Sequence, residues 1–95
     1  MTAIVGLLTV DLYIADALTL KDRRRVVKSL LDRLGNRHNV SVAEIGPNGA
    51  CHQVTVAVTC VANETSHVHS VLNAALRLIE SEPRVVAEHT EVSIL

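Results

Sequence analysis

The apolar positions of the chain change period four times, and the runs between the changes mark its elements. From Ala3 to Ile14 the period is two. Ile4, Leu8, Val10, Leu12 and Ile14 share one face with Gly6, while the odd positions mix apolar and polar residues. That alternation predicts a strand with its even face toward a core. From Leu20 to Arg37 the spacing turns helical, and Leu20, Val27, Leu30, Leu31 and Leu34 form one stripe. Thr19 followed by Asp22 reads as a capping box in which Asp replaces the usual Glu. Gly35 and Asn36 are the expected stop.

A second strand is predicted over Asn39–Ile45 and a third over Cys51–Ala62, with the turn Gly46-Pro47-Asn48-Gly49 between them. In the third strand Val54, Val56, Val58, Cys60 and Ala62 are the inward positions, and Gln53, Thr55, Ala57 and Thr59 the outward ones. Asn63 is the expected cap of a second helix running to about Ser81. Its stripe is Val68, Val71, Leu72, Ala75, Leu76 and Ile79, and Pro83 bars its extension. Val85–Leu95 reads as a fourth strand, placed at an edge by Glu88 and Glu91.

The order β-α-β-β-α-β predicts one α+β domain over residues 1–95. It is ferredoxin-like, a four-stranded antiparallel sheet with both helices on one face. The other face is then open, with Val5, Leu7 and Thr9 beside Gln53, Thr55, Ala57 and Thr59 in its middle.

Composition narrows what that open face can do. Of 95 residues 48% are apolar, which suits a single packed core, yet there is one Tyr and neither Phe nor Trp. Sheets of this topology that read single-stranded RNA stack bases on aromatic side chains of the two central strands. Here Tyr13, at a strand end, is the sole aromatic available. Two other uses of the face remain: an ordinary half-polar surface, or self-association into a homo-oligomer such as a dimer through Val5, Leu7, Thr55 and Ala57.

Charge directs attention to the helical side. Residues 21–37 carry seven bases against two acids, a net +5 in a chain whose net charge is −1, leaving −6 for the remainder. Lys21, Arg24, Arg25 and Lys28 follow one another at intervals compatible with one flank of the helix. This flank is a candidate polyanion site, most directly for phosphates of structured RNA or a ribosomal subunit. The competing reading is a solvated helix face balanced by acids of the second helix and last strand.

Catalytic and metal chemistry find little support. No phosphate-binding glycine loop, nucleophile elbow, paired-carboxylate motif or zinc spacing is present, although Asp11 and Glu44 are placed where they could approach in the sheet. His67 and His69 are two apart on a helix and diverge. The expectation is a non-enzymatic binding module without metal or cofactor. Cys51 and Cys60 are nine residues apart in one predicted strand. At about 3.3 Å per residue that is on the order of 30 Å, beyond disulfide reach. No apolar run approaches the roughly 20 residues of a membrane span. The start does not read as a signal peptide, so the expected location is the cytoplasm.

The segments Leu18-Thr19-Leu20-Lys21-Asp22-Arg23-Arg24 and Asn39-Val40-Ser41-Val42-Ala43-Glu44 resemble motifs of the YlxP-like family, also called domain of unknown function 503. Ile4-Val5-Gly6, Leu12 and Asn63 fit as well, so the similarity covers nearly the whole chain. The resemblance implies a ferredoxin-like, cytoplasmic bacterial protein, often encoded among translation and ribosome-maturation genes. It implies no catalytic residue, since the family has no established activity. Lys21, Arg24, Asn39, Ser41 and Glu44 are the motif positions here. His38 stands where the family usually has Phe, and Cys51 about where Trp is common.

Overall fold

In the computed structural model, which describes residues 2–46 and 52–95, six elements follow the predicted order. They are β1 (Ile4–Tyr13), α1 (Leu20–Arg37), β2 (Ser41–Gly46), β3 (Gln53–Ala62), α2 (Thr65–Glu80) and β4 (Val86–Ile94). The strands form one antiparallel sheet in the order β2-β3-β1-β4. The fold is therefore ferredoxin-like. The central pair β1/β3 runs in unbroken register from Ile4↔Ala62 to Tyr13↔Gln53.

Period two becomes burial directly. Leu8, Val10 and Leu12 of β1 and Val54, Val56 and Val58 of β3 are fully buried beneath the helices. Their odd-numbered neighbours from Val5 to Tyr13 stay half-buried on the opposite face. Val68, Leu72, Ala75, Leu78 and Ile79 of α2 and Val27, Leu30 and Leu34 of α1 close the core. α2 lies across β1 and β3, whereas α1 lies nearer β2. β4 is an edge strand, as its acids predict, and β2 is the other edge.

The helix ends show where local signals succeed and fail. Thr19 Oγ1 accepts from Asp22 N–H at 3.1 Å, and Asp22 Oδ2 accepts from Thr19 N–H at 3.1 Å, completing the capping box. Gly35 and Asn36 do not stop α1. The helix runs on to Arg37, and the His38 N–H closes it on the Leu34 carbonyl at 3.0 Å. Neither Gly35 nor Asn36 adopts a left-handed conformation; positive φ occurs at Gly46 alone among the described residues. Asn63 is not the cap of α2. The first helical bond runs from Val68 N–H to the Glu64 carbonyl, which makes Glu64 the N-cap, and it makes no side-chain cap bond.

Within α1 the exposed Leu20 falls outside the buried stripe, and Arg23 takes the inward position one turn before Val27. Regular β3 begins at Gln53, two residues later than expected. The β2/β3 pairing bears out the hairpin, but Cys51 and the turn at Pro47, Asn48 and Gly49 lie outside the described residues. The spacing of Cys51 from Cys60 therefore lies outside them too. Cys60 itself is a buried free thiol whose pKa burial raises.

Candidate functional site

The capped first turn of α1 starts a run of cations that divides into two groups. Arg23, turned inward and 5% exposed, donates from Nη1 to the Gln53 carbonyl at 3.1 Å. It also faces Glu44 of β2 at 3.4 Å. Lys28 pairs with Asp32 one turn on at 2.9 Å. Arg33 reaches the buried carboxylate of Glu82, between α2 and β4. The side chains of Lys21, Arg24, Arg25 and, at the far end of the helix, Arg37 are exposed and, among the described residues, make no hydrogen bond or ion pair. The candidate flank thus holds three unpartnered cations and one, Lys28, that shares its charge with a solvent-exposed acid. Arg24 also borders a shallow cleft of about 360 Å³, together with Arg23, Glu44, Ile45 and Gly46.

Balance for the paired cations comes from Glu44, Asp32 and Glu82, not from Glu88 and Glu91 of β4. Glu82 is the most deeply buried of these acids. It is 4% exposed. Its Oε2 accepts from Arg84 N–H at 3.0 Å and Nε–H at 2.9 Å, and its Oε1 accepts from Arg84 Nη2 at 2.8 Å as well as from Arg33. Hydrogen bonds from Arg84, with the charge of Arg33 behind them, outweigh the penalty of burial and hold its pKa at about 2. The same bond raises the pKa of Arg84.

The motif positions separate. Glu44 points to the helix side and ties β2 to α1 through Arg23. Ser41 opens β2 opposite Thr59 on the open face, and exposed Asn39 precedes it. Asn39, Ser41 and Val5 line one groove of about 240 Å³. His38 caps α1 through its backbone and is half-buried.

The open-face candidates separate as well. Val5, Leu7 and Ala57 sit at the apolar end, near Ala43 and a Val61 that is 60% exposed. Thr55 belongs to the polar end, where its hydroxyl donates to Asp11 at 2.6 Å. Asp11 and Glu44 do not approach: Asp11 is on the open face and Glu44, paired with Val56, on the helix face. Tyr13 packs its ring 5.7 Å from that of His52, which lies just before β3 and beside the Ile14 carbonyl. Among the described residues no three His, Cys, Asp or Glu side chains converge in a way that would hold a metal ion. No helix among them is long and apolar enough to cross a membrane.

Two features escaped sequence reasoning. Arg23 continues the buried stripe one turn before Val27, a position that hydropathy alone assigns to solvent. The Arg33–Glu82–Arg84 cluster joins α1 to the α2–β4 turn over a long sequence separation. Its local trace is the Glu-Pro-Arg run after α2, in which Pro83 fixes a tight connection between acid and base.

Comparison with known proteins agrees with this fold. The de novo designed protein Foldit4 superposes with a TM-score of 0.58 at 16% identity, over 99% of this chain and 97% of that one. A structural-genomics protein, YJCS, superposes with a TM-score of 0.53 at 12% identity, over 94% and 96%. Both likenesses are of fold. In sequence, the chain is 30% identical over 81 residues to the uncharacterized protein YlxP of Bacillus subtilis (strain 168), spanning 85% of this chain and 88% of that protein. The profile of the family described as protein of unknown function (DUF503) matches residues 5–92. With its fold, its motif residues and this match in agreement, the chain belongs to the YlxP-like DUF503 family.

Proposed function

We propose that this protein is a non-enzymatic binding module that docks structured RNA, such as that on a ribosomal subunit, through the basic flank of α1. One observation carries the reading. Lys21, Arg24 and Arg25 stand in water without partners among the described residues, while Arg23, Lys28 and Arg33 of the same helix each have an acid. Unpaired guanidinium and ammonium groups on one rigid flank gain most from phosphates, because no internal ion pair has to be broken. The helix presents them at fixed spacing, so the phosphates of a folded RNA suit it better than a mobile single strand. The open sheet face, without a stacking platform, takes no part in base contacts. Measuring the affinity of ribosomal subunits or a structured RNA for the wild type and for a Lys21→Ala, Arg24→Ala, Arg25→Ala, Lys28→Ala variant tests the proposal. Equal affinities would sink it.

A second reading rests on the exposure of Val61 beside Val5, Leu7 and Ala57. Apolar side chains grouped at one end of an uncovered sheet favour self-association of two copies. Light scattering at high micromolar concentration decides it: a dimer supports the reading, a strict monomer ends it.

A further inference from the structure

We propose that Arg84 and Arg33, oriented by Glu82, form with Ser29 a site for one phosphodiester group of the RNA that α1 contacts. The site rests on the RNA-binding reading and extends it beyond the first two turns of α1.

The cluster carries a surplus of positive charge. One guanidinium is enough to neutralise the buried Glu82 carboxylate, yet two converge on it and leave a net +1. Arg84 holds it with a fork, Nε at 2.9 Å and Nη2 at 2.8 Å, while its own backbone N–H adds a third bond at 3.0 Å. Arg33 approaches from α1 onto the same oxygen as Nη2. Neither guanidinium is consumed by this pairing: Arg84 keeps its Nη1 hydrogens and Arg33 its Nη1 and outer Nη2 hydrogens, and the two side chains are 44% and 40% exposed. A buried carboxylate that grips two half-exposed arginines fixes the direction of their remaining N–H groups. Such fixed donors, Nη1 of Arg84 and the outer Nη1/Nη2 edge of Arg33, match the oxygens of a phosphate at little ordering cost.

The cluster also has unused hydrogen-bonding capacity, which is independent of its charge. Arg33 Nε is out of water and has no hydrogen-bond partner. A buried donor of this kind asks for an ion or water. Ser29 adds a matching group. Its Oγ accepts from Arg84 Nη2 at 3.3 Å, which leaves the hydroxyl proton for an incoming oxygen. Ser29 and Arg33 are four apart on α1, with Arg25 one turn before. The cluster therefore continues the flank of Lys21, Arg24 and Arg25 toward the α2–β4 turn.

The test is fluorescence anisotropy of a labelled RNA hairpin with the full chain, at low salt, for four proteins. These are the wild type, Arg84→Lys, Ser29→Ala and the four-alanine flank variant. Arg84→Lys keeps the charge and removes the planar group that Glu82 orients, with its outward Nη1, so a loss of about five- to tenfold is expected. Arg84→Lys binding within about twofold of wild type overturns the site, since charge number alone would then account for affinity. Circular dichroism checks the fold of each variant. Should Arg84→Lys not fold, Ser29→Ala decides by the same twofold limit. Binding kept by Arg84→Lys but lost by the flank variant overturns this site and leaves the α1 reading standing. No binding by the wild type overturns both.

Discussion

At Gly6 the side chains of α2 come close against the sheet. A Cβ there would lie 2.3 Å from Val68 Cγ1 and 2.9 Å from Leu72 Cδ1, both in the core. The β-branched Val68 has little rotamer freedom with which to yield. Gly6→Ala is expected to lower stability by roughly 1–3 kcal/mol, as overpacking does. An unchanged urea midpoint would contradict this. Glu82 sets a pH dependence. Its pKa falls from 4.5 to about 2 on folding, so the stability it contributes is complete above about pH 4.5 and is lost as pH falls toward 2. The shift corresponds to about 3 kcal/mol for this buried group. Glu82→Gln should be less stable at neutral pH, and its remaining stability should fall less steeply than that of the wild type between pH 4.5 and 2. Denaturant titrations across that range check it, and parallel curves would refute it.

At the scale of elements, the capping box anchors the start of the cationic helix. Thr19→Ala should cost about 1 kcal/mol, because Asp22 N–H loses its acceptor and the helix end begins to fray. A thermal midpoint equal to that of the wild type would contradict it. The same box was legible in the sequence because both of its bonds are local, and so were the strands, whose alternation burial reproduces in β1 and β3. Other ends were not legible. Gly35 has the residue type of a helix stop, but α1 continues over it as ordinary helix to Arg37. Asn63 has the residue type of a cap, but the chain starts its first helical bond one residue later. Arg23 was legible as a charge and not as a core residue. Its burial depends on Glu44 and the Gln53 carbonyl, both brought in by strands remote in sequence. Glu82 was hidden for the same reason: its partners come from two parts of the chain, and pairing across the fold leaves no periodic trace.

At the scale of the molecule, the fold separates two surfaces. The sheet side is apolar at the Val5–Ala57 end and polar at the Asp11–Thr55 end, while α1 on the other side carries a group of unpartnered cations on one flank. The sequence predicted both surfaces because alternation and charge clustering are local. It left open how much of the +5 of α1 is already answered by acids, since that depends on which side chains meet. Arg23 and Lys28 are answered and Arg33 shares Glu82 with Arg84; among the described residues Lys21, Arg24, Arg25 and, at the far end of the helix, Arg37 are not. The measurement that tests the central claim most directly is the salt dependence of binding to a structured RNA or a ribosomal subunit. Log affinity is plotted against log salt for the wild type and the four-alanine flank variant. The account predicts a wild-type slope of about −2 to −3 or steeper, made shallower by about 2–3 in the variant, because each cation seated on a phosphate adds about one to the slope. Superimposable lines for the two proteins would contradict it.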